Sequence, residues 1–492
     1  MPAKPKDEML VGNRRQLLFD DFFLALRPGQ YPAHPERVAR RVRWALAKVE
    51  KHPQRIFFGQ QPWEDDKQWF CILREGGTYR LWYNSSRQPH PGLRVSYAES
   101  EDGLNWRRPD LNLVEWQGVM EKNVVYSGTY GVSLELGSVF VDPTAEPEKR
   151  YRMVGSEWID ARVLQPGFVG NAGGVTSAVS ADGIHWQPES PALRGWYSDS
   201  QNVCAYDPTA REYICFVRGF SWYGGCLVGE HPVKAINRGR AVARIASDDF
   251  VIWSDAETVL QGDLHDGLNV DFYNSGYSRY PGADNAHFMF TSALHRFEGT
   301  LDVQVAVSRD NHHWIRPTRD VLIPCGEPGS FDCFMVFAAP GFVPIDDDHY
   351  AIYYRAVDSP HGGSAVQMPP GFKRVDAMGR AVLKRDRIVG IEAGEEEGTF
   401  CTRPVIFEGR RLLLNLEPTG RDPWLTVQVI SADDEEPFPG YTSEESIPLM
   451  KDELDAVATW KKGADLGQFA GKPVRLHFRL KSMRIYAFQF VG

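Results

Sequence analysis

One short phrase recurs four times in this chain: a strand, a tight turn on an Asp that follows a Ser by two positions, and a Trp shortly after it. The copies are AESEDGLNW ending at Trp106, AVSADGIHW ending at Trp186, IASDDFVIW ending at Trp253 and AVSRDNHHW ending at Trp314. The tryptophans follow one another at intervals of roughly 60 to 80 residues, a spacing typical of repeat architectures. The chain must therefore fold as a series of similar units.

Further β-type runs precede each copy. WFCIL and YRLWY precede the first hairpin, and polar turn clusters such as DPTAEPEKR separate the paired runs of other copies. With the hairpin, each repeat has four antiparallel strands, the content of a propeller blade. A fifth copy, CFMVFAAPGFV followed by HYAIYYRA, lacks the Trp. We predict a five-bladed β-propeller over residues 56–385, with blades longer than the usual unit of about 40 to 50 residues and therefore with extended loops.

The segments on either side of the repeats have a different pattern. Alternating stretches such as LTVQVIS and PVRLHFRLKSMRIYAFQFVG predict a C-terminal β-sandwich over residues 386–492. Residues 1–55 are expected to be an N-terminal extension that packs on the propeller, with a helical pattern in ERVARRVRWALAKVEK. The predicted fold class is all-β, a propeller followed by a sandwich.

Charge and cysteine content argue against several classes of partner. The chain has 55 basic and 65 acidic residues and a net charge of −10, which argues against nucleic acid and anionic membranes. No apolar run approaches the length of a membrane span. The seven cysteines form no CxxC pair, which favours free thiols in a reducing compartment. We expect a cytoplasmic protein, and a homo-oligomer is compatible with the sequence.

The repeated turn itself is expected to be structural. Its Ser and Asp side chains can hydrogen-bond nearby backbone N–H groups, and a following Gly supplies a positive φ. The third and fourth copies have Phe250 and Asn311 in place of that Gly. The turn is therefore useful chiefly because it sets the strand register of each repeat.

An acidic residue stands at or near the start of the first strand of every predicted blade. In a propeller this strand lines the central channel, and one end of the channel is the usual ligand site. The acids are Glu64, Asp65 and Asp66 in the first blade, followed by Glu135, Asp199, Asp271 and Asp332 in the other four. Carboxylates that converge on one axis oppose joint ionisation, so their recurrence favours binding or catalysis.

Paired carboxylates in an open pocket are what glycoside hydrolysis requires, since one protonates the leaving oxygen and the other acts as nucleophile or activates water. We expect the catalytic set to be Asp199, Asp271 and Glu64. Other residues are expected to bind the carbohydrate through its hydroxyls, an acidic group or ring stacking: Trp63, Asp65, Asp66, Glu135, Arg218, Asp332, Arg355 and His361.

Other chemistries have little support. The motifs GxSxG, GxxxxGK[ST], HExxH and GxGxxG are absent, and NHH at 311–313 belongs to a hairpin turn. We expect no organic cofactor and assign no metal ligands, although clustered carboxylates in the channel would also suit Ca²⁺.

Several stretches together resemble a known superfamily: LLFDDFFL, PWED, YRLWY, DSQNVCAYDP, DFYNSGY and LDVQVAVSRDNHHW, with the strand-rich C-terminal segment. They resemble a bacterial branch of the five-bladed-propeller glycoside hydrolases, the superfamily of invertases, inulinases, arabinanases and β-xylosidases. The resemblance covers nearly the whole chain and implies a nucleophile or base in the first blade (Glu64, Asp65 or Asp66), a modulating acid at Glu135 and a proton donor at Asp199. The invertase signatures NDPNG, RDP and EC are absent, and Asp271 is an equally good candidate from the register.

Two alternatives to hydrolysis stay open. A phosphorylase of the same fold would need a cationic phosphate pocket, which Arg218, Arg355 and His361 could supply. A non-catalytic carbohydrate-binding propeller would have the same fold and no enzymatic activity.

Overall fold

The computed structural model describes residues 8–25, 39–59, 61, 64, 69–87, 90–116, 118–129, 133–160, 171–189, 198–220, 239–267, 269–432 and 436–492. These residues form 35 β-strands and three short 3₁₀ turns (Asp21–Phe23, Pro147–Lys149 and Gly467–Phe469), without an α-helix among them. The predicted all-β class is confirmed. Across the same ranges, no helix has the length and apolarity needed to cross a bilayer.

The chain divides into two compact units. One, here called the central unit, comprises Val49–Arg279 and His287–Val382. The other, the terminal unit, comprises Met1–Lys48, Tyr280–Ala286 and Leu383–Gly492.

Three separate four-stranded antiparallel sheets make up the first part of the central unit. Sheet one contains β6 (Phe70–Glu75), β7 (Thr78–Arg87), β8 (His90–Ser100) and β11 (Val124–Tyr126). Sheet two contains β12 (Leu134–Val141), β13 (Tyr151–Asp160), β14 (Asn171–Ser180) and β15 (Gln187–Pro188). Sheet three contains β16 (Val203–Asp207), β17 (Glu212–Phe220), β18 (Arg240–Ser247) and β19 (Glu257–Leu260). A short ribbon of β9 (Val114–Trp116) and β10 (Val119–Glu121) stands apart.

The last two predicted repeats share one ten-stranded sheet. Its first group is β20 (Val270–Phe272), β21 (Tyr277–Arg279), β22 (His287–His295) and β23 (Thr300–Ser308). Its second group is β24 (Met335–Ala338), β25 (Val343–Pro344), β26 (His349–Val357) and β27 (Asp376–Lys384), joined on the outer edge by β4 (Glu50–Lys51) and β5 (Phe57–Phe58). The two groups meet at a parallel pairing of Leu301 with Met335. Strands from the N-terminal part of the chain therefore complete the last group.

The strand groups are numbered one to five: sheets one to three, then the two groups of the ten-stranded sheet. Successive groups contact one another, in several cases through their first strands. The Cys71 thiol donates to the Val139 carbonyl at 3.2 Å, and the Cys204 N–H donates to Ser138 Oγ at 2.8 Å. Val203 and Phe272 share an apolar cluster between the third and fourth groups. Further on, the Asn274 amide donates to Ala338 O at 3.1 Å, and the Tyr353 hydroxyl donates to Gly103 O at 3.0 Å. The fifth group thus packs on the first.

The terminal unit consists of two sheets that enclose one apolar core. The first contains β1 (Met9–Gly12), β29 (Gly398–Cys401), β30 (Val405–Phe407), β32 (Trp424–Ser431) and β34 (Val474–Lys481). The second contains β2 (Gln16–Leu17), β3 (Val42–Leu46), β28 (Val389–Ala393), β31 (Arg411–Pro418), β33 (Glu453–Val457) and β35 (Met483–Val491). Alternate side chains such as Phe478 of β34 and Phe488 of β35 point into the shared core, as the period of two in a strand requires.

The prediction of a helix near residue 45 is wrong. Val42–Leu46 is strand β3, which pairs antiparallel with β28, and polar Arg43 alternates with partly buried Val42 and Trp44. The pairing partner lies far along the chain, so tertiary contact overrides a local helical pattern.

The hairpin pattern also predicts the repeated Trp on the fourth strand, and in two of the sheets it lies before that strand. Trp186 and Trp253 precede the fourth strands of their sheets, which begin at Gln187 and Glu257. The turn occupies the residues up to the Trp, so pairing with the third strand resumes only after it.

Candidate functional site

The four Asp turns are built by hydrogen bonds to their own backbone. In the first, the Asp102 carboxylate accepts from the N–H groups of Leu104 and Asn105 at 2.8 Å each, and Ser100 Oγ accepts from the Gly103 N–H at 2.9 Å. Burial alone would raise the pKa of Asp102, but these bonds and that from the Asn105 amide outweigh it and hold the pKa well below its ordinary value. The Asp102 carboxylate therefore serves the structure of the turn.

The residue after each Asp adopts a left-handed backbone whether or not it is Gly. Its φ is 70° at Gly103 and 76° at Gly183, and 65° at Phe250 and 55° at Asn311. The last two tolerate this because each has a compensating contact: the Phe250 ring packs in an apolar cluster, and the Asn311 amide donates to Asp207. The turn is conserved in shape across all four copies although its Gly is not.

Three of the predicted site residues, Trp63, Asp65 and Asp66, lie outside the described residues. The other eight are placed.

Glu64 is a fully buried carboxylate in its own ion pair. Arg108 donates to it through Nε at 2.5 Å and through Nη2 at 3.0 Å, and the Tyr83 hydroxyl donates to Oε1. Its side chain has no solvent-exposed area, whereas that of Arg108 is 14% exposed and covers the Phe57 ring at 4.2 Å. The bidentate guanidinium pair fixes the orientation of the carboxylate.

Asp332 lies in a separate network. It forms an ion pair with Lys51 and accepts hydrogen bonds from Ser330 Oγ at 2.8 Å and from the Tyr354 hydroxyl at 3.2 Å. Tyr354 is next to Arg355 on β26, so the two side chains point to opposite faces of the strand. Asp332 therefore faces away from Arg355.

Asp271 is paired with another arginine, Arg296. Arg296 donates to it through Nε at 2.7 Å and through Nη2 at 2.6 Å, and the carboxylate is nearly buried. Glu64, Asp332 and Asp271 are thus each held by a different basic partner.

Asp199 is the predicted acid with two arginine partners. Arg218 Nη1 bonds to it, and Arg240 Nη1 donates to the same oxygen at 3.0 Å. Both arginines project from one face of sheet three, because Arg240 pairs with Phe220, two positions from Arg218. Burial raises the pKa of Asp199, but the charges of Arg240 and Arg218 outweigh this and lower it to about 2. The carboxylate, one quarter exposed, is ionised at neutral pH.

An aromatic group lies beside this ion pair. The Arg240 guanidinium covers the Tyr273 ring at 4.0 Å, and Tyr273 in turn packs against Phe337 with 5.3 Å between ring centres. Trp69 contacts Phe337 at 5.3 Å and Tyr273 at 6.4 Å. These three rings, here called the aromatic cluster, come from the first, fourth and fifth strand groups, and Phe337 makes with each of the others the edge contact that aromatic side chains prefer.

A second arginine, Arg355, contacts the other two rings of the aromatic cluster. Arg355 lies 5.1 Å from the Trp69 ring centre and 5.3 Å from that of Phe337. Its Nε donates to Asp376 at 2.9 Å, and Arg374 also donates to Asp376 at 3.2 Å. Burial lowers the pKa of Arg355, but the charge of Asp376 and, more weakly, those of Tyr273 and Glu135 raise it overall. Glu135, at the start of β12, is therefore within electrostatic range of Arg355.

His361 connects the two arginine groups. Its ring meets Tyr273 at 5.3 Å, and its loop is anchored where the His361 N–H donates to Gly299 O at 2.8 Å. Burial lowers the pKa of His361, and the charges of Arg240 and Arg374 lower it further. The imidazole is therefore neutral at pH 7.

The structure thus gathers Asp199, Arg218, Arg355, His361 and Glu135 around the aromatic cluster. Six members of this group were not predicted from the sequence: Trp69, Arg240, Tyr273, Phe337, Arg374 and Asp376. Arg240 and Asp376 are the first residues of their strands, so the strand register could have predicted them. The aromatic members looked like ordinary strand residues.

The described residues offer no ligand set for Ca²⁺. Among them, no three or more His, Cys, Asp or Glu side chains form a group that could hold a metal ion. Glu64, Asp199, Asp271 and Asp332 are each bonded to arginine or lysine, which compete with a cation for the same oxygens.

Comparisons with known proteins give structural likenesses alone. No family model and no curated protein matches the chain. It is similar to a crystallised N-acetylgalactosamine deacetylase from F. plautii in complex with blood group B trisaccharide, with 15% identity, a TM-score of 0.44 and coverage of 69% of this chain and 95% of that one.

Two further solved structures show the same level of likeness. One is a glycosyl hydrolase from Bacteroides ovatus (14% identity, TM-score 0.41, 70% of this chain and 96% of that one). The other was described with a family of mannoside phosphorylases that contains glycoside hydrolases targeting β-1,2-mannosidic linkages in Candida mannan (14% identity, TM-score 0.41, 69% and 94%). Likeness at these scores carries no argument about the chemistry of this chain.

Proposed function

We propose that the central unit is a five-bladed β-propeller of the glycoside hydrolase type and that the terminal unit contains a β-sandwich. Supporting this are the four Asp turns of one shape, the contacts that join each strand group to the next and the fifth to the first, and the two sheets around one core. In such a propeller the group around Asp199 would lie at one end of the central channel.

The proposed function is cleavage of a glycosidic bond. The observation that carries it is Asp199, a carboxylate kept ionised by two arginines, one of which also covers the partly exposed Tyr273 ring. An ionised carboxylate can act as nucleophile or can activate water. Because its pKa is about 2, Asp199 is a poor proton donor at neutral pH, so we assign it the nucleophile or base role instead of the acid role.

The proton donor is then a second carboxyl group. Glu64 and Asp271 are nearly buried and held in two-point arginine pairs, so we propose that they maintain the shape of the site. Glu135 is partly exposed and lies within electrostatic range of Arg355. The charge of Arg355 is offset by its bond to Asp376. We therefore propose Glu135 as the acid.

A panel of aryl glycosides and oligosaccharides tests the function, with three variants: Asp199→Asn, Glu135→Gln and the control Glu212→Gln. Glu212 has nearly the same exposure as Asp199 and also pairs with an arginine, Arg244. We expect Asp199→Asn to lose at least about 100-fold in kcat on every substrate and Glu212→Gln to keep it. Glu135→Gln should fail on poor leaving groups yet still cleave dinitrophenyl glycosides, which need no acid.

The absence of turnover by the unmodified enzyme on the whole panel would favour the alternative of a carbohydrate-binding protein. Equal kcat for Asp199→Asn and the unmodified enzyme would contradict the proposed role of Asp199. A rate that requires inorganic phosphate and yields a sugar phosphate would assign a phosphorylase, which the arginines around Asp199 make the second candidate.

A further inference from the structure

The described part of the site has more arginines than carboxylates. Arg218 and Arg240 share Asp199, and Arg355 and Arg374 share Asp376. Glu135 adds one acid near Arg355, and the pKa of His361 is lowered, which keeps the imidazole neutral. This local excess of positive charge occurs in a chain whose net charge is −10. A cationic site in an acidic protein focuses the field on an anionic ligand.

The two arginine groups converge at one point. The charges of both Arg240 and Arg374 reach His361, and the His361 ring lies against Tyr273, which Arg240 covers. Arg374 is the most exposed of the four arginines, at 33% of its side chain. A ligand beside His361 would therefore lie within electrostatic range of both guanidinium groups.

Guanidinium groups suit one kind of ligand above others. Their planar fork donates two parallel hydrogen bonds to a carboxylate or phosphate, and a neutral sugar hydroxyl gains much less from the charge. At a site for a purely neutral glycoside, the extra positive charge of the arginines would contribute little to binding.

We propose that the substrate carries an oxyanion, the carboxylate of a sugar acid or a phosphate group, and that Arg240 and Arg374 bind it beside His361. This proposal rests on the proposed glycosidic cleavage, since it names the substrate class of the same site.

A binding experiment tests the oxyanion directly, without turnover. The probes are glucuronate, inorganic phosphate and glucose, added to the full chain while the His361 ring proton is followed by NMR, with His361→Gln to assign the signal. A bound anion stabilises the imidazolium, so we expect glucuronate or phosphate to raise the pKa of His361 and glucose to leave it unchanged. A shift with glucuronate identifies a sugar carboxylate as the oxyanion, and a shift with inorganic phosphate identifies a phosphate group. No shift with either anion at saturating concentration would overturn the proposal.

Two matched variants then test the role of Arg374. Arg374→Gln removes one guanidinium and leaves Asp376 its bond to Arg355, whereas Arg319→Gln removes an arginine of similar exposure that pairs with Asp263. We expect Arg374→Gln to weaken binding of the responding anion about 10- to 100-fold and Arg319→Gln to have no effect. Equal effects of the two variants would contradict the proposed subsite.

Turnover separates this proposal from the proposed function. Aryl glucuronides and aryl glucosides differ at one carboxylate, and we expect the glucuronide to have the lower KM if the sugar acid is the source. Anion binding without any turnover would contradict glycosidic cleavage alone. Cleavage of neutral glycosides without any anion binding would contradict the oxyanion alone.

Discussion

The Arg240 guanidinium lies 4.0 Å above the centre of the Tyr273 ring while its Nη1 bonds to Asp199 at 3.0 Å. One side chain thus connects the charged and the aromatic parts of the candidate site. A lysine could keep the charge but could not both stack and bridge two atoms.

This geometry predicts that Arg240→Lys is not a conservative change. We expect kcat/KM to fall about tenfold or more, because Asp199 loses part of its orientation while its charge is still compensated. Steady-state kinetics check this, with Arg319→Lys as a control away from the site. Activity equal to that of the unmodified enzyme would show that the charge alone matters.

Glu64→Gln is expected to destabilise the fold. The change leaves Arg108 largely buried without its carboxylate, and breaking a buried pair in this way costs about 3–5 kcal/mol. Thermal unfolding should show a lower Tm, and the soluble variant should keep its kcat. A variant with unchanged Tm and abolished turnover would restore Glu64 to the catalytic set.

Gly103→Ala should be more harmful than Gly77→Ala. Both glycines have positive φ, 70° and 89°, so an alanine at either position would have the same kind of backbone strain. At Gly103 an added Cβ would lie 2.3 Å from the Tyr353 hydroxyl, whereas nothing lies within 4 Å at Gly77. We expect an additional loss of about 1–3 kcal/mol at Gly103, measured as the difference in free energy of unfolding. Equal losses would mean that the turn moves away from Tyr353 freely.

The Asp turns predict how stability depends on pH. Hydrogen bonds lower the pKa of Asp102, Asp182 and Asp310 in the folded state. Their stabilisation is complete above the unfolded value of about 3.9 and is lost as the pH falls through the lower folded values. Asp182→Asn should therefore lower the Tm at pH 7 and should differ less from the unmodified protein near pH 2. A constant difference between the two pH values would contradict this linkage.

Local sequence determined the strands and the repeated turn. Ser at two positions before Asp, with Trp after it, sufficed to predict four turns, because the bonds that build the turn run within a few residues. The same register singled out Asp199, Arg218 and Arg355, which the structure brings near one another; His361 was singled out from its loop. Alternation also predicted the all-β class, since a half-buried strand shows its period in the sequence.

The partner of each charged side chain was decided by the tertiary structure. Five acids at equivalent positions looked alike in the sequence, yet Glu64, Asp271 and Asp332 are bound to Arg108, Arg296 and Lys51. Asp199 has two arginines from neighbouring strands and the aromatic cluster from three other segments of the chain. Charge and burial depend on distances between residues that are remote in sequence, and these distances set the surroundings of each carboxylate.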